Sequence, residues 1–304
     1  MGAPVELFDV PEPRQLADDE VLIEVMAAGV GSWDEFVRTE GWDVGRRPPM
    51  ALGVEAAGTV LAAGNAAREW APGDAVMTHP VPLREQGTWA PRLIAPAGLL
   101  ARKPADVSWA AAAAFPVPAL TARQVLADAL GLHAGDQLLV NGASGATGSL
   151  LVTLAVLHGA QVIAMAGPTS RQRVAALGAD HVIDYHDPDW ASQVRALTGG
   201  RGVTAAVNAV PAASADALRA VADGGRLATI TGDPPDPERG VTITNVYVRS
   251  DGTQLAQLAT QLGAGQLHVP VAAQYHLDDA AQALAQATGG HAGGAITLTL
   301  SQAQ

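Results

Sequence analysis

Asn141-Gly142-Ala143-Ser144-Gly145-Ala146-Thr147-Gly148 is the stretch on which the fold of this 304-residue chain turns. It follows an apolar run, Gln137-Leu138-Leu139-Val140, and leads into another, Ser149 to Leu157. Its glycines fall as G-x-x-G-x-x-G between an expected buried strand and an expected helix. Side chains there would hold a pyrophosphate away from the backbone, whose amides and helix dipole favour negative charge. In a chain with 33 glycines three of them are weak evidence alone. The context raises them, because a further strand, Gln161 to Met165, follows about twenty residues on. The plain alternative is a tight strand-to-helix turn with no ligand.

The end of that further strand discriminates between cofactors. An NAD site places Asp or Glu there for the ribose 2′-hydroxyl. Here the sequence is Met165-Ala166-Gly167-Pro168-Thr169-Ser170-Arg171, without an acid. Gly167 leaves room for a phosphate, Ser170 can donate to it and Arg171 can neutralise it. NADPH is the expected cofactor, held by Gly142, Ser144, Gly145, Ala146, Thr147 and Gly148 together with that segment. In the competing account Ser170 caps a helix and Arg171 is a solvated first-turn residue.

Outward from the turn, helices and strands alternate from about residue 119. Strands are expected at 181–184, 203–207 and 226–230, and helices at 120–130, 170–177, 190–197 and 214–221. Such alternation predicts a doubly wound parallel sheet. The first 110 residues instead read as short strands, such as Val21 to Val25, Ala56 to Leu61 and Asp74 to Met77, punctuated by Gly and Pro. That pattern predicts a small barrel or sandwich. A helical run from Trp109 to Phe115 meets Pro116 and Pro118, so the junction is placed there. The tail returns to helix and then to an alternating strand, Ala295 to Leu300, as if rejoining the first domain. The expected domains are 1–116, completed by 250–304, and 117–249.

Composition narrows the function classes. The chain has no Cys, which excludes disulfides, thiolate zinc sites and Cys nucleophiles. Its formal net charge is −12, and Lys103 is the only lysine, so neither nucleic acid nor an anionic membrane is an expected partner. No run reaches the roughly 20 apolar residues of a membrane span. The start, Met1 to Glu6, lacks the basic end and apolar core of a signal peptide, so a cytoplasmic location is expected.

Further stretches fall in family order: Ala27-Ala28-Gly29-Val30 with Asp34, Gly53 to Gly58, Pro72 to Val76, and Gln86 to Ala90. Leu120-Thr121-Ala122, the glycine turn, Leu177 to Tyr185, Gly224 to Leu227 and Gly290-His291 continue the series. In these the chain resembles the zinc-independent quinone oxidoreductases of the medium-chain dehydrogenase/reductase superfamily. The resemblance implies a GroES-like β-barrel domain, a Rossmann domain, and a cleft in which hydride passes directly from nicotinamide to the acceptor. It implies cofactor contacts at Thr121, Tyr185, Asn208, Thr231 and Gly232, and a homodimer through Rossmann edge strands around Thr242 to Val248. Zinc-dependent relatives carry Cys and His where this chain has Gly31 and Val54, so no metal is expected. Other departures are the Asn of many quinone reductases, replaced by Gly31, and a strand that usually precedes the segment matching Gly2-Ala3-Pro4. The barrel is expected to lack that strand or build it otherwise.

Trp33, Trp42 and Trp89 fall in loops that the resemblance places along the cleft, suited to a flat conjugated acceptor, although ordinary packing explains each equally well. No classical catalytic residue stands out. Asp34 is the weak candidate acid, with helix capping as its simpler role. His79 follows a strand, but Pro80 beside it reads as a turn. The expected partner is a small quinone or activated enone, whose reduced anion solvent can protonate. The alternatives are a 2-enoyl or polyketide-type enone reductase and a non-catalytic NADPH-binding sensor.

Overall fold

The structure, a computed structural model, describes residues 4–290 and 293–300. Gly2, Ala3 and His291, used above, lie outside them. The chain divides into two compact units: residues up to Leu120 with those from Arg249 on, and Thr121–Val248.

The first unit begins with β1 (Glu20–Val30), whose Val21, Ile23 and Val25 are buried in alternation. There follow α1 (Ser32–Arg38), β2 (Ala56–Ala63), β3 (Ala75–Thr78), β4 (Arg92–Pro96), β5 (Leu100–Arg102) and α2 (Trp109–Ala113). Residues 4–17 contain no strand. Next is α3 (Pro116–Gln124). The sequence reading took Pro116 as a helix stop. It is instead the first residue of a helix, where its missing N–H costs nothing and its fixed φ is already helical. The junction therefore lies a few residues later than expected.

In the second unit come β6 (Gln137–Asn141), α4 (Ala146–Leu157), β7 (Gln161–Met165), α5 (Arg171–Ala175), β8 (His181–Ile183), α6 (Trp190–Leu197), β9 (Val203–Asn208), α7 (Ser214–Leu218), β10 (Val221–Thr229) and β11 (Thr242–Asn245). The helix expected to reach Val221 stops at Leu218, and Val221 already pairs with Val203. The six strands are parallel in the order β11-β10-β9-β6-β7-β8. Order reverses between β6 and β9, the switch point at which such sheets bind ligands. The middle of β6, Leu138 to Val140, is apolar on both faces because helices cover parallel sheets on both sides. Helix α4 is apolar nearly all round and is buried along most of its length.

The chain then returns to the first unit with α8 (Gly252–Gly263), β12 (Val271–His276), α9 (Ala280–Gly289) and β13 (Ala295–Thr299). Strand β13 pairs antiparallel with β1, Ala28 facing Leu298, and completes a seven-stranded sheet. This is the two-domain α/β architecture: a GroES-like unit and a Rossmann unit. Among the described residues no helix is long and apolar enough to cross a membrane.

Candidate nucleotide site and buried polar centre

The turn from β6 into α4 is tight enough to require its glycines. Gly142 has φ +86°, and a Cβ on Gly148 would sit 2.0 Å from the Gly142 carbonyl oxygen. Gly145 differs: its Cβ would meet only that oxygen, at 3.6 Å. It is the extended N-cap of α4, and Ser144, Gly145 and Ala146 are only partly buried. Two glycines thus serve close packing and the third keeps the approach to the helix N-terminus open. Ser149 and Thr147 are buried in the first turn of α4.

At the end of β7, Gly167 is flanked by Tyr185 and His186, whose rings stack with centroids 4.1 Å apart. Tyr185 remains 44% exposed. His186 bonds Asp184 at 2.7 Å, and the His186 amide and ring hold the Asp184 carboxyl below its usual range. Ser170 is the N-cap of α5, yet its hydroxyl makes no capping hydrogen bond. Arg171 is exposed and lines, with Asp180, His181 and Gln193, a depression of about 520 Å³.

The residue the sequence reading passed over is Arg173. Its Nη2 reaches back from α5 to donate to the Ser144 carbonyl at 3.0 Å, and its Nη1 is buried without a hydrogen-bond partner among the described residues. Two cationic side chains on α5, a serine hydroxyl not spent on capping that helix and an acid-free strand end suit the 2′-phosphate of NADPH. The open side of Gly145 suits its pyrophosphate.

Asn208 and Thr231 were expected at strand ends facing the cofactor. Asn208 is fully buried at the end of β9, and its amide is spent inside the protein. It accepts from Asn141 Nδ2 at 2.8 Å and donates to Ser214 Oγ at 2.8 Å and the Val210 carbonyl at 2.9 Å. Ser214 and Thr231 in turn donate to Asp233. Burial pushes the Asp233 carboxyl up, but hydrogen bonds from Thr231, Ser214 and Thr229 outweigh it and leave the carboxyl below its ordinary value. Gly232, at φ +76°, turns the chain between Thr231 and Asp233, and Thr121 is buried on α3.

In the first unit a second group of buried polar residues surrounds the facing ends of β1 and β2. Here the Gly29 amide bonds the Glu55 carbonyl at 3.1 Å. Asp34, on α1, accepts from the amide of the N-cap residue Gly31 at 2.9 Å, while its own amide donates to the Gly31 carbonyl at 3.1 Å. It is fully buried. Burial lifts its carboxyl to about 7, against the opposing pull of the Gly31 and Gly53 amides, and Oδ1 makes no hydrogen bond to a described residue. Burial also raises Glu55 well above the usual carboxylate range, opposed by the Val117 amide on Oε2 at 2.7 Å and reinforced by the Asp34 charge. His79, expected in a turn, is buried with Nδ1 at 2.7 Å from the Val54 carbonyl; burial lowers its pKa to about 4.

The three tryptophans divide. Trp89 is 5% exposed, packs on Gly53 and donates to the Gly29 carbonyl at 2.9 Å, so its indole is part of the fold. The Trp33 ring occupies the space a side chain at position 31 would need, 2.2 Å from a Gly31 Cβ, so an indole fills the place where many quinone reductases carry Asn. Trp33 Nε1 is buried and unpartnered among the described residues. Trp42 stands with its ring 6.0 Å from His79. Neither a cysteine nor, among the described residues, a cluster of three metal-ligating side chains is present.

Comparison with known proteins agrees with this architecture. The "Zinc-binding dehydrogenase" family model matches residues 177–298, and the "Alcohol dehydrogenase GroES-like domain" model matches residues 17–104. The mycobacterial quinone oxidoreductase Rv154c superposes with a TM-score of 0.78 at 30% identity, covering 96% of this chain and 94% of that one. Mycobacterial Rv1454c, solved in complex with NADPH, gives 0.83 at 29% identity, with 96% and 94% covered. In sequence, erythronolide synthase EryA2 of Saccharopolyspora erythraea is 38% identical over 205 residues, 66% of this chain but only 5% of that synthase. The chain thus spans a small part of the curated relatives it matches. With both units, the topology and a full-length relative in agreement, the chain belongs to the quinone oxidoreductase family of the medium-chain dehydrogenase/reductase superfamily, a family of oxidoreductases.

Proposed function

We propose that the chain is an NADPH-dependent reductase that passes hydride directly to a quinone or an activated enone, without zinc. The observation that carries the cofactor choice is Arg173, with Nη2 on the Ser144 carbonyl and Nη1 buried without a partner among the described residues, beside an acid-free strand end. When bound, NADPH supplies the hydride. The glycine turn holds the pyrophosphate, and Ser170, Arg171 and Arg173 hold the 2′-phosphate, with Tyr185 against the adenosine. Gly31 and Val54 leave no ligand where zinc-dependent relatives bind metal. Protonation of a hydroquinone anion needs no dedicated acid, so positioning carries most of the rate.

A second reading, reduction of a 2-enoyl or polyketide-type enone, has two observations in its favour. One is the similarity to erythronolide synthase. The other is Asp34, a buried carboxyl held near neutrality and so able to store a proton. Homodimerisation through β11, an edge strand of the parallel sheet, and a cytoplasmic setting belong to the same proposal.

Titration with NADPH and NADH, followed by nicotinamide fluorescence, tests the cofactor. Wild type is expected to prefer NADPH, and Arg173→Ala to lose roughly tenfold or more in NADPH affinity with little change for NADH. Equal affinity for the two nucleotides overturns the cofactor assignment. Incubation with NADPH and a panel of quinones and enones, followed at the nicotinamide absorbance, tests the reaction. Absence of oxidation with every acceptor, despite tight NADPH binding, overturns it in favour of a non-catalytic binding protein.

A further inference from the structure

Two rings stand at the end of β7 where an NAD site carries its acid. A Cβ at Gly167 would be 3.1 Å from His186 Cε1 and 3.3 Å from both Cε1 and the hydroxyl of Tyr185. That is closer than ordinary van der Waals contact, so the side-chain space of position 167 is already filled. The His186 ring is nonetheless 61% exposed, and it stacks on Tyr185 with centroids 4.1 Å apart. Rossmann sites read the ribose 2′ position at this strand end. Here an imidazole and a phenol are present to read it.

Asp184 holds the imidazole in one orientation. Its Oδ1 accepts from His186 Nδ1 at 2.7 Å and from the His186 backbone amide at 3.0 Å. These two bonds and, more weakly, the charges of His186 and Arg171 keep the Asp184 carboxyl below its usual range. Arg171 thus acts on the same spot from α5. The neighbouring carboxylate, Asp187, is engaged elsewhere, with the Asp189 amide at 2.9 Å and Gln193 Nε2 at 2.7 Å. With Nδ1 committed to Asp184, Nε2 is the ring nitrogen left for a ligand. A neutral Nε2 is a lone pair that repels phosphate oxygens, whereas a protonated one is a charged donor. The ionised Asp184 supports that added charge.

We propose that His186 reads the nucleotide 2′-phosphate through Nε2 and takes up a proton from solvent as it does so, which makes the preference for a 2′-phosphorylated nucleotide depend on pH. The inference rests on the NADPH reading of this strand end. Arg171 and Arg173 supply charge that pH does not change, and His186 supplies charge that it does. Raising the pH strips the imidazole proton, so the preference falls. The phosphate works the other way, gaining charge as pH rises through its second ionisation at about 6. A falling preference therefore cannot originate in the ligand.

The test is calorimetric titration of the full chain with adenosine 2′,5′-bisphosphate and with 5′-AMP at pH 6.5 and 8.5. Wild type should prefer the bisphosphate at pH 6.5, and that preference should fall about tenfold by pH 8.5. His186→Gln should keep a preference from the two arginines, constant within about twofold over the same range. His181, which lines the depression beside Arg171, is the control, and His181→Gln should behave as wild type. Near pH 7.5, buffers of different ionisation enthalpy should reveal proton uptake when wild type binds the bisphosphate, and none with His186→Gln. A wild-type preference that pH leaves unchanged, or a pH dependence that persists in His186→Gln or disappears in His181→Gln, overturns the role of His186 and leaves the NADPH reading standing. No preference for the bisphosphate at either pH overturns both.

Discussion

Both units gather buried polar side chains at strand ends, and the two sets differ in how their hydrogen bonds are filled. In the second unit Asn141, Asn208, Ser214, Thr229, Thr231 and Asp233 form a closed set, in which the amides bond one another and Ser214, and three hydroxyls donate to the single carboxylate and hold its pKa down. In the first unit two carboxyls and an imidazole are buried with little support. Their pKa values move toward the neutral form, up for Asp34 and Glu55 and down for His79. Desolvation is common to both sets. What differs is the number of donors aimed at the charge: three hydroxyls for Asp233, against two backbone amides for Asp34. A filled network rigidifies a scaffold, whereas an unfilled one keeps titratable groups and free lone pairs for ligands.

The sharpest way to break this contrast is Asp34→Asn, read as stability against pH. The folded pKa of Asp34 is about 7, above the ordinary carboxylate value. Its contribution is therefore fully present below about pH 4, declines as pH rises, and is lost once pH passes about 7. The wild type should lose stability relative to Asp34→Asn across that window, by at most about 4 kcal/mol at 1.4 kcal/mol per unit. The asparagine can still accept from the Gly31 amide, so the cap survives. Urea unfolding of both proteins between pH 4.5 and 8 checks this. Parallel profiles would show that the Asp34 carboxylate is as well supported as Asp233.

The second unit should respond in the opposite manner. Asn208→Ala removes an acceptor from Asn141 and a donor from Ser214 and the Val210 carbonyl. We expect a loss of about 3 kcal/mol, because several buried groups are left unpaired at once. The loss should be the same from pH 5 to 8, since Asn208 itself does not titrate. A pH-dependent loss, or one below about 1 kcal/mol, would mean that the network is not closed around Asn208.

How far this contrast was visible in the sequence follows from which interactions are local. The glycine turn was legible because three glycines at fixed spacing between apolar runs leave few conformations. The parallel sheet followed from alternation of apolar strands with helices. Strands β4 and β5 went unread, being short, bounded by Pro and Gly, and paired with residues far away in sequence, Leu22 with Ile94 for one. Arg173 was passed over because Arg171 comes first in the helix; only the fold shows that the later side chain returns to Ser144. His79 was read as a turn residue from Pro80, and its burial depends on Val54, which lies on another strand. Asn208 was rightly placed at a strand end, but its amide partners lie on β6 and α7.

The tryptophans give the smallest and most selective test. Trp89→Phe keeps an apolar ring on Gly53 but takes the donor from the Gly29 carbonyl and leaves a small void. Loss of one buried hydrogen bond and a little packing should cost about 1–2 kcal/mol, visible as a lowered urea midpoint at unchanged slope. Because that indole already has its partner inside the fold, the KM for any accepted quinone should not change. Trp33→Phe is the complement: its Nε1 has no partner among the described residues, so stability should hold while the KM for an accepted quinone rises several-fold. If Trp89→Phe moved the KM and Trp33→Phe moved only the urea midpoint, the two indoles would have exchanged roles. The unpaired polar atoms of the first unit would then belong to its packing rather than to a ligand.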